Sequence, residues 1–343
     1  MTAVVIHAAH DLRVEPHDAP DPGPGEVRIR IGRGGICGSD LHYYHAGGFG
    51  TVRVKQPMVL GHEAAGVIEA VGAGVSHVAP GDAVAVNPSL PCGACAQCLA
   101  GRPIHCTEMR FLGSAMRMPH VQGAFRAAFT CEAARAVKLP PGLSVERAAF
   151  AEPLSVCLHA AAQAGALLGA RVLVTGAGPI GVLCVAVARL AGAREIVATD
   201  LVAEPLRIAR TMGADRTHAL RDEPEALAAY AAGKGYFDVV FEASGSGAAL
   251  VGALGTLRPG GTVVQVGVGG EAALPLSALV AREARLVGTF RFHAEFAHAV
   301  DVLASGRLDP SPMLTEVVPA ADAVRAFDLA SDRTRAMKVQ IAF

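Results

Sequence analysis

No run of about 18 uninterrupted apolar residues occurs in the chain, so no membrane-spanning helix is expected. The nearest approach, Leu167 to Leu190, is broken by Arg171 and several glycines. The first residues, Met1-Thr2-Ala3-Val4-Val5-Ile6-His7, lack a basic stretch followed by a long apolar one, which is not the pattern of a secretory signal peptide. Excess charge is also lacking: 30 Lys and Arg against 31 Asp and Glu leave a formal net charge of −1. No strong field therefore draws nucleic acid or an anionic membrane. There is no sequence repeat and no low-complexity tail. Cysteines number eight (37, 92, 95, 98, 106, 131, 157 and 184), too few and too unevenly spread for a disulfide scaffold in 343 residues.

What is present suffices for two buried cores. Hydrophobic residues make up 52% of the chain and charged residues 18%, which argues against disorder. The length suggests two domains at about 150 residues each. Residues 4–7 and 26–36 alternate in β fashion, and strand-like runs recur at 64–71, 82–87 and near 124–138. Pro16, Pro20, Pro22 and Pro24 mark a loop between the first two. The amino-terminal half is thus a short-stranded, turn-rich β region.

Two constellations in that half carry chemistry. The stretch from Cys37 to Val75 sets a thiol, an imidazole and a carboxylate beside glycines, in Cys37-Gly38-Ser39-Asp40-Leu41-His42 and Gly61-His62-Glu63. That mixture suits a catalytic zinc, which takes about three N, S or O ligands and keeps one position open. Cys92, Cys95, Cys98 and Cys106 follow on a loop flanked by Pro91, Gly93, Gly101 and Pro103. Four thiolates so spaced suit a closed tetrahedral zinc that pins the loop; an iron–sulfur cluster also uses four Cys. Four cysteines within fifteen residues read as metal binding in a reducing cytosol.

From about residue 150, alanine-rich helical segments alternate with short Val/Ile strands. Arg171–Thr175 is a strand candidate, followed by Gly176-Ala177-Gly178-Pro179-Ile180-Gly181 and a helical pattern to Leu190. The next strand, 195–199, ends in Asp200. A G-x-G-x-x-G turn that follows a strand, opens a helix and has an acid about 20 residues on is the dinucleotide-binding fingerprint. The helix amino terminus offers N–H groups to the pyrophosphate. Asp200 would accept from the adenosine ribose hydroxyls and repel a 2′-phosphate, so NAD is expected over NADP. Strands near 236–242, 261–266 and 284–288 continue the sheet, with a helix at 294–304 and a closing strand near 337–343.

With these pieces the whole chain resembles the zinc-containing medium-chain dehydrogenases. Gly61-His62-Glu63-x2-Gly66-x5-Gly72-x2-Val75 fits that family's zinc signature, and the four-cysteine spacing its structural lobe. Cys37-Gly-Ser-Asp-Leu-His-Tyr43 and Ala151-Glu152-Pro153-Leu154 place it nearest the polyol branch around sorbitol dehydrogenase. Residues 109–116, 118–121 and 288–292 look like the bacterial L-idonate 5-dehydrogenases.

The resemblance implies an α/β fold in which a Rossmann doubly wound parallel sheet, 152–289, is inserted in a GroES-like β-rich catalytic domain, 1–151 and 290–343. It implies an active site in the interdomain cleft, a catalytic and a structural zinc, and a homo-oligomer, dimer or tetramer, in the cytoplasm. Catalytic zinc would sit on Cys37 and His62, with Glu63, a water or Glu152 as the varying third ligand. The structural zinc would sit on Cys92, Cys95, Cys98 and Cys106. Ser39 and His42 would relay the alcohol proton to solvent. Tyr43 and Phe111 would line the pocket, and Arg291 or Arg110 would meet a sugar-acid carboxylate, Arg117 and His120 being further candidates. Cys157 reads as core.

Relatives often carry an Arg four or five residues after the acid matching Asp200. Here those positions are Glu204 and Pro205, which favours NAD, with NADP use also open. The expected reaction is oxidation of L-idonate to 5-dehydro-D-gluconate, the alternative a sorbitol or xylitol dehydrogenase. A nucleotide sensor on the same fold would be expected to lose a zinc ligand or the relay, and neither is lost.

Overall fold

The computed structural model describes residues 1–343. The chain divides into two compact units. The first comprises Met1–Glu152, Phe296–Asp332 and Lys338–Phe343; the second comprises Pro153–Glu295 and Arg333–Met337.

In the first unit, seven strands form one sheet. Its order runs Ala136–Lys138, Ala83–Val86, Glu63–Val71, Glu26–Gly35, Lys338–Ala342, Leu314–Pro319, and Ala128–Glu132 also pairs with Glu26–Gly35. The central strand shows why it forms. Val27, Ile29 and Ile31 alternate into the core, fully buried, while Arg28 and Arg30 point outward and reach Glu69. One face is thus apolar and one charged, as the period of two requires. The apolar face packs on Ile68, Val84, Val86 and Phe129. Helix Gly38–Ala46 follows the central strand directly.

The second unit holds a six-stranded parallel sheet. Its order is Arg216–Ala219, Glu195–Asp200, Arg171–Thr175, Phe237–Glu242, Leu257–Gln265, Arg285–Gly288. The first strand in sequence lies in the middle and later ones are added on either side. That doubly wound order creates a crevice at the carboxyl ends, where the winding reverses. Val172, Leu173 and Val174 have no exposed surface, as expected of a parallel strand covered on both faces. Helix Pro179–Leu190 buries eight residues, from Gly181 to Ala188, and Pro179 starts it where a missing N–H costs nothing.

Sequence periodicity located most strands of both sheets to within a few residues; it did not find Leu314–Pro319, Arg216–Ala219 or helix Gly38–Ala46, which has no apolar stripe. Its start is set instead by Asp40, which accepts a hydrogen bond from the Cys37 N–H at 3.0 Å. No helix is long and apolar enough to cross a membrane.

Candidate active site

Strand register builds the first cluster. Gly35, the last residue of the central strand, lies opposite Glu63, the first residue of its antiparallel neighbour. Cys37 leaves one strand and His62 enters the other, so the two turns meet at one sheet end. Gly61 has φ +91°, and a Cβ there would come within 2.1 Å of the Phe125 ring. A Cβ on Gly35 would come within 2.2 Å of Glu63 Oε2, so the absent side chain makes room for that carboxylate.

The ligand atoms of Cys37, His62 and Glu63 lie within 4.8 Å of one another. Asp40, fully buried, fastens the two turns: one oxygen accepts from the Cys37 N–H and the other from the Gly61 N–H at 3.2 Å. The same carboxylate lies 3.8 Å from His62 Nδ1, too far for a hydrogen bond, and that nitrogen is buried without a partner. Lys338 donates to Glu63 Oε1 at 2.6 Å and to the Ile36 carbonyl at 2.9 Å. Glu152, in the first turn of helix Ala151–Ala164, is also buried.

These groups resist ionising together. Burial pushes the Cys37 thiol up to about 11, with Glu63 adding to it. Burial likewise pushes the Glu152 carboxyl up to about 8, opposed by His62 and reinforced by Glu63 and Cys37. Asp40 is raised by burial too. Burial disfavours the charged Lys338 ammonium, but Glu63 and Cys37 outweigh it and the pKa is raised. Four acids thus face one fixed cation. A dication among a thiol, an imidazole and a carboxylate supplies the missing positive charge, and that donor set fits zinc with an open position.

The second cluster is four sulfurs. Cys92, Cys95, Cys98 and Cys106 also bring their ligand atoms within 4.8 Å of one another. Cys92 and Cys106 sulfurs stand 3.5 Å apart, far beyond a disulfide bond. The Cys92 N–H points at Cys106 Sγ and the Cys95 N–H at Cys92 Sγ, at 3.2 and 3.3 Å. Backbone N–H groups of Cys98 and Thr107 hold Cys95 down to about 5, while burial and then Cys95 push Cys98 up to about 12. Four thiols that cannot all ionise alone fit a closed tetrahedral ion.

In the second unit the Gly176–Gly181 turn sits where the strand Arg171–Thr175 gives way to helix Pro179–Leu190. A Cβ on Gly181 would lie 1.8 Å from the Gly176 carbonyl, so the helix packs against the turn itself; one on Gly178 would meet nothing within 4 Å. The open space beside the half-buried Gly178 leaves room for a pyrophosphate at the helix amino terminus. Ile180 accepts at its carbonyl from the Cys157 thiol, 3.4 Å away. Asp200 accepts from the Ala177 N–H at 2.7 Å. Beyond the next strands, Gly245, Gly267, Leu286 and Thr289 help line a cavity of about 470 Å³.

The remaining expected residues fall in several places. Ser39 and His42 are three apart on helix Gly38–Ala46, hence on one face, with His42 exposed. Tyr43 is buried and its hydroxyl accepts from the Ala115 N–H; the Phe111 ring packs 5.5 Å from that of His62. Arg110 forms an ion pair with Glu132, and Arg117 one with Glu108. His120 accepts from the Lys55 N–H at 2.9 Å, and its other nitrogen meets the Arg117 carbonyl. Arg291 stands in the second unit at φ +52°, over the Phe290 ring at 4.8 Å. Sequence reasoning gave no role to Asp40, Lys338 or Arg333, which donates to Asp200 at 2.6 Å. Only Asp40 lies within a motif that could have flagged it.

Residues 23–141 match the alcohol dehydrogenase GroES-like domain, and residues 179–305 match the zinc-binding dehydrogenase family. The L-idonate 5-dehydrogenase (NAD(P)(+)) of Escherichia coli (strain K12) is 44% identical over 316 residues, 92% of this chain and 91% of that protein. Sorbitol dehydrogenase of Gallus gallus is 39% identical over 330 residues, 95% of this chain and 92% of that one. The crystal structure of L-idonate 5-dehydrogenase from Escherichia coli str. K-12 substr. MG1655 superposes with a TM-score of 0.93 and 41% identity, covering 100% of this chain and 98% of that one. The fold is accordingly a GroES-like unit joined to a Rossmann unit.

Proposed function

This chain belongs to the zinc-binding alcohol dehydrogenase family, and from that premise we propose that it is an NAD-linked L-idonate 5-dehydrogenase. It is an alcohol or polyol dehydrogenase acting on a small molecule. The finer reading is oxidation of the C5 secondary alcohol of L-idonate, giving 5-dehydro-D-gluconate. The observation that carries it is the Cys37, His62 and Glu63 cluster in a chain 44% identical to an idonate enzyme.

Cys37 and His62 would hold the catalytic zinc, with Glu63 or Glu152 as the exchangeable third ligand. Zinc, when bound, supplies a Lewis acid that lowers the pKa of a substrate hydroxyl toward neutrality. The dinucleotide supplies the hydride acceptor. Gly176, Gly178, Pro179, Ile180 and Gly181 would hold its pyrophosphate and Asp200 its adenosine ribose. Ser39 would take the hydroxyl proton, and His42, one helical turn on and exposed, would pass it to water. Asp40 keeps the two ligand turns in register. Cys92, Cys95, Cys98 and Cys106 would hold the structural zinc. The catalytic domain would comprise residues 1–151 and 290–343 and the dinucleotide domain 152–289, in a cytoplasmic dimer or tetramer.

Arg291 is our choice for the substrate carboxylate, with Tyr43 and Phe111 lining the pocket. Arg110, Arg117 and His120 are engaged with Glu132, Glu108 and backbone, which weakens them as carboxylate partners. The same observation lends weight to a second reading, a sorbitol- or xylitol-type polyol dehydrogenase. Steady-state kcat/KM for L-idonate, sorbitol and xylitol with both cofactors decides between them. L-Idonate should lead; equal or faster turnover of sorbitol would sink the first reading.

A further inference from the structure

The acid at the end of the second parallel strand is not alone. Asp200 is 5% exposed, and three donors hold its carboxylate. The Ala177 N–H and Arg333 Nη2 both donate to Oδ2, at 2.7 and 2.6 Å, and the Val202 N–H donates to Oδ1 at 3.1 Å. Arg333 comes from 133 residues further along the chain, on the segment Arg333–Met337 that belongs to the dinucleotide unit. Its own side chain is 55% exposed. In the helix that follows the strand, Glu204 and Pro205 bring no cation to this acid, and Arg207 is held by Glu204 through two nitrogens.

We propose that Arg333 is a cofactor-specificity residue: it neutralises Asp200 and offers its remaining N–H groups to an adenosine 2′-phosphate, so that one pocket accepts NAD and NADP. The proposal rests on the dinucleotide reading of the Gly176–Gly181 turn. An unpaired aspartate repels a 2′-phosphate, while a guanidinium paired with it cancels that charge. Arginine has five N–H donors in a planar fork. The contact with Asp200 occupies one nitrogen, and the exposed remainder of the guanidinium can meet a phosphate. An unphosphorylated ribose asks nothing of Arg333, because Asp200 Oδ1 keeps acceptor capacity beside the Val202 N–H. The cation arrives from a distant segment rather than from the helix that follows the strand.

The test is titration calorimetry of the zinc-loaded protein with 2′,5′-ADP and with 5′-ADP, beside the NADP/NAD ratio of kcat/KM. Arg333→Ala should weaken 2′,5′-ADP roughly tenfold or more, since charge-assisted bonds to phosphate are lost, and leave 5′-ADP within about twofold. Arg333→Lys should fall between, because the charge remains and the fork is lost. Should Arg333→Ala fold poorly by circular dichroism, Arg333→Gln gives the same comparison without the charge. Equal losses for both nucleotides, or none for 2′,5′-ADP, would overturn the role given to Arg333. If the unaltered protein binds 5′-ADP but not 2′,5′-ADP, this inference alone fails. If it binds neither, the dinucleotide reading fails as well.

Discussion

Lys338 Nζ lies 2.6 Å from Glu63 Oε1, a buried ion pair between residues 275 positions apart. Both residues are almost fully buried, and Lys338 also donates to the Ile36 carbonyl, one residue before Cys37. The closing strand of the first unit thus delivers a cation to the back of the metal cluster. Its contact sets a fixed positive charge against the Glu63 side chain. Removing one member of a buried pair strands the other and costs on the order of 3–5 kcal/mol. Lys338→Met is therefore expected to lower the melting temperature by many degrees, and differential scanning calorimetry checks it. A melting temperature within about 1 °C of the unaltered protein, less than a 1 kcal/mol effect in a chain this size, would mean the pair contributes little.

Asp40 gives a different outcome. It ties the N–H groups of Cys37 and Gly61 together and bonds to none of the four sulfurs of the cysteine loop. Asp40→Ala should lower the affinity of one metal ion tenfold or more, in line with the roughly 10–100-fold effects of ligand-supporting partners, and leave the other in place. Chelator titration with metal analysis reads the two separately. Equal loss of both ions would show that Asp40 acts on the fold as a whole.

The metal-free cluster should respond to pH. Glu152 is pushed up to about 8 in the folded protein, above its ordinary value near 4.5, so the folded state holds a proton that the unfolded chain releases. That contribution to stability is full below about 4.5 and is lost as pH rises through about 8. Metal-free protein should therefore lose melting temperature between pH 5 and 8.5, and Glu152→Gln should flatten that slope. A slope unchanged by Glu152→Gln would place the proton elsewhere.

The cysteine loop should behave as a closed unit. Cys98→Ser leaves three sulfurs around one ion and is expected to release that ion and destabilise the loop, while the ion at Cys37 and His62 stays. Limited proteolysis at residues 92–106 checks it: faster cleavage than in the unaltered protein is expected, and unchanged cleavage contradicts a pinning role.

What the sequence made legible was whatever is local. The Gly176–Gly181 turn, five of the six parallel strands and the two candidate metal clusters depend on residues close in sequence or on the two-residue period of strands. Cys37 and His62 were readable together because each stands beside a glycine that lets a turn form. The tie between them was not, since the bonds from Asp40 run to backbone N–H groups of two separate turns. Lys338 looked like one more residue of a closing strand, and Arg333 stands in no motif. Their partners lie 275 and 133 residues away, a distance at which periodicity carries no information. The candidates Arg110 and His120 show the converse. A cation near the motif in sequence was taken by Glu132 in one case, and an imidazole by a backbone N–H in the other.

The central claim is that a zinc ion held by Cys37 and His62 activates the alcohol, apart from the ion in the cysteine loop. Metal content and turnover of Cys37→Ala, measured on the same preparation, test it most directly. The account predicts two zinc ions per chain in the unaltered protein, one in the variant, and loss of alcohol oxidation with nucleotide binding retained. A variant that keeps both ions, or that turns over at an undiminished rate with one, would contradict it.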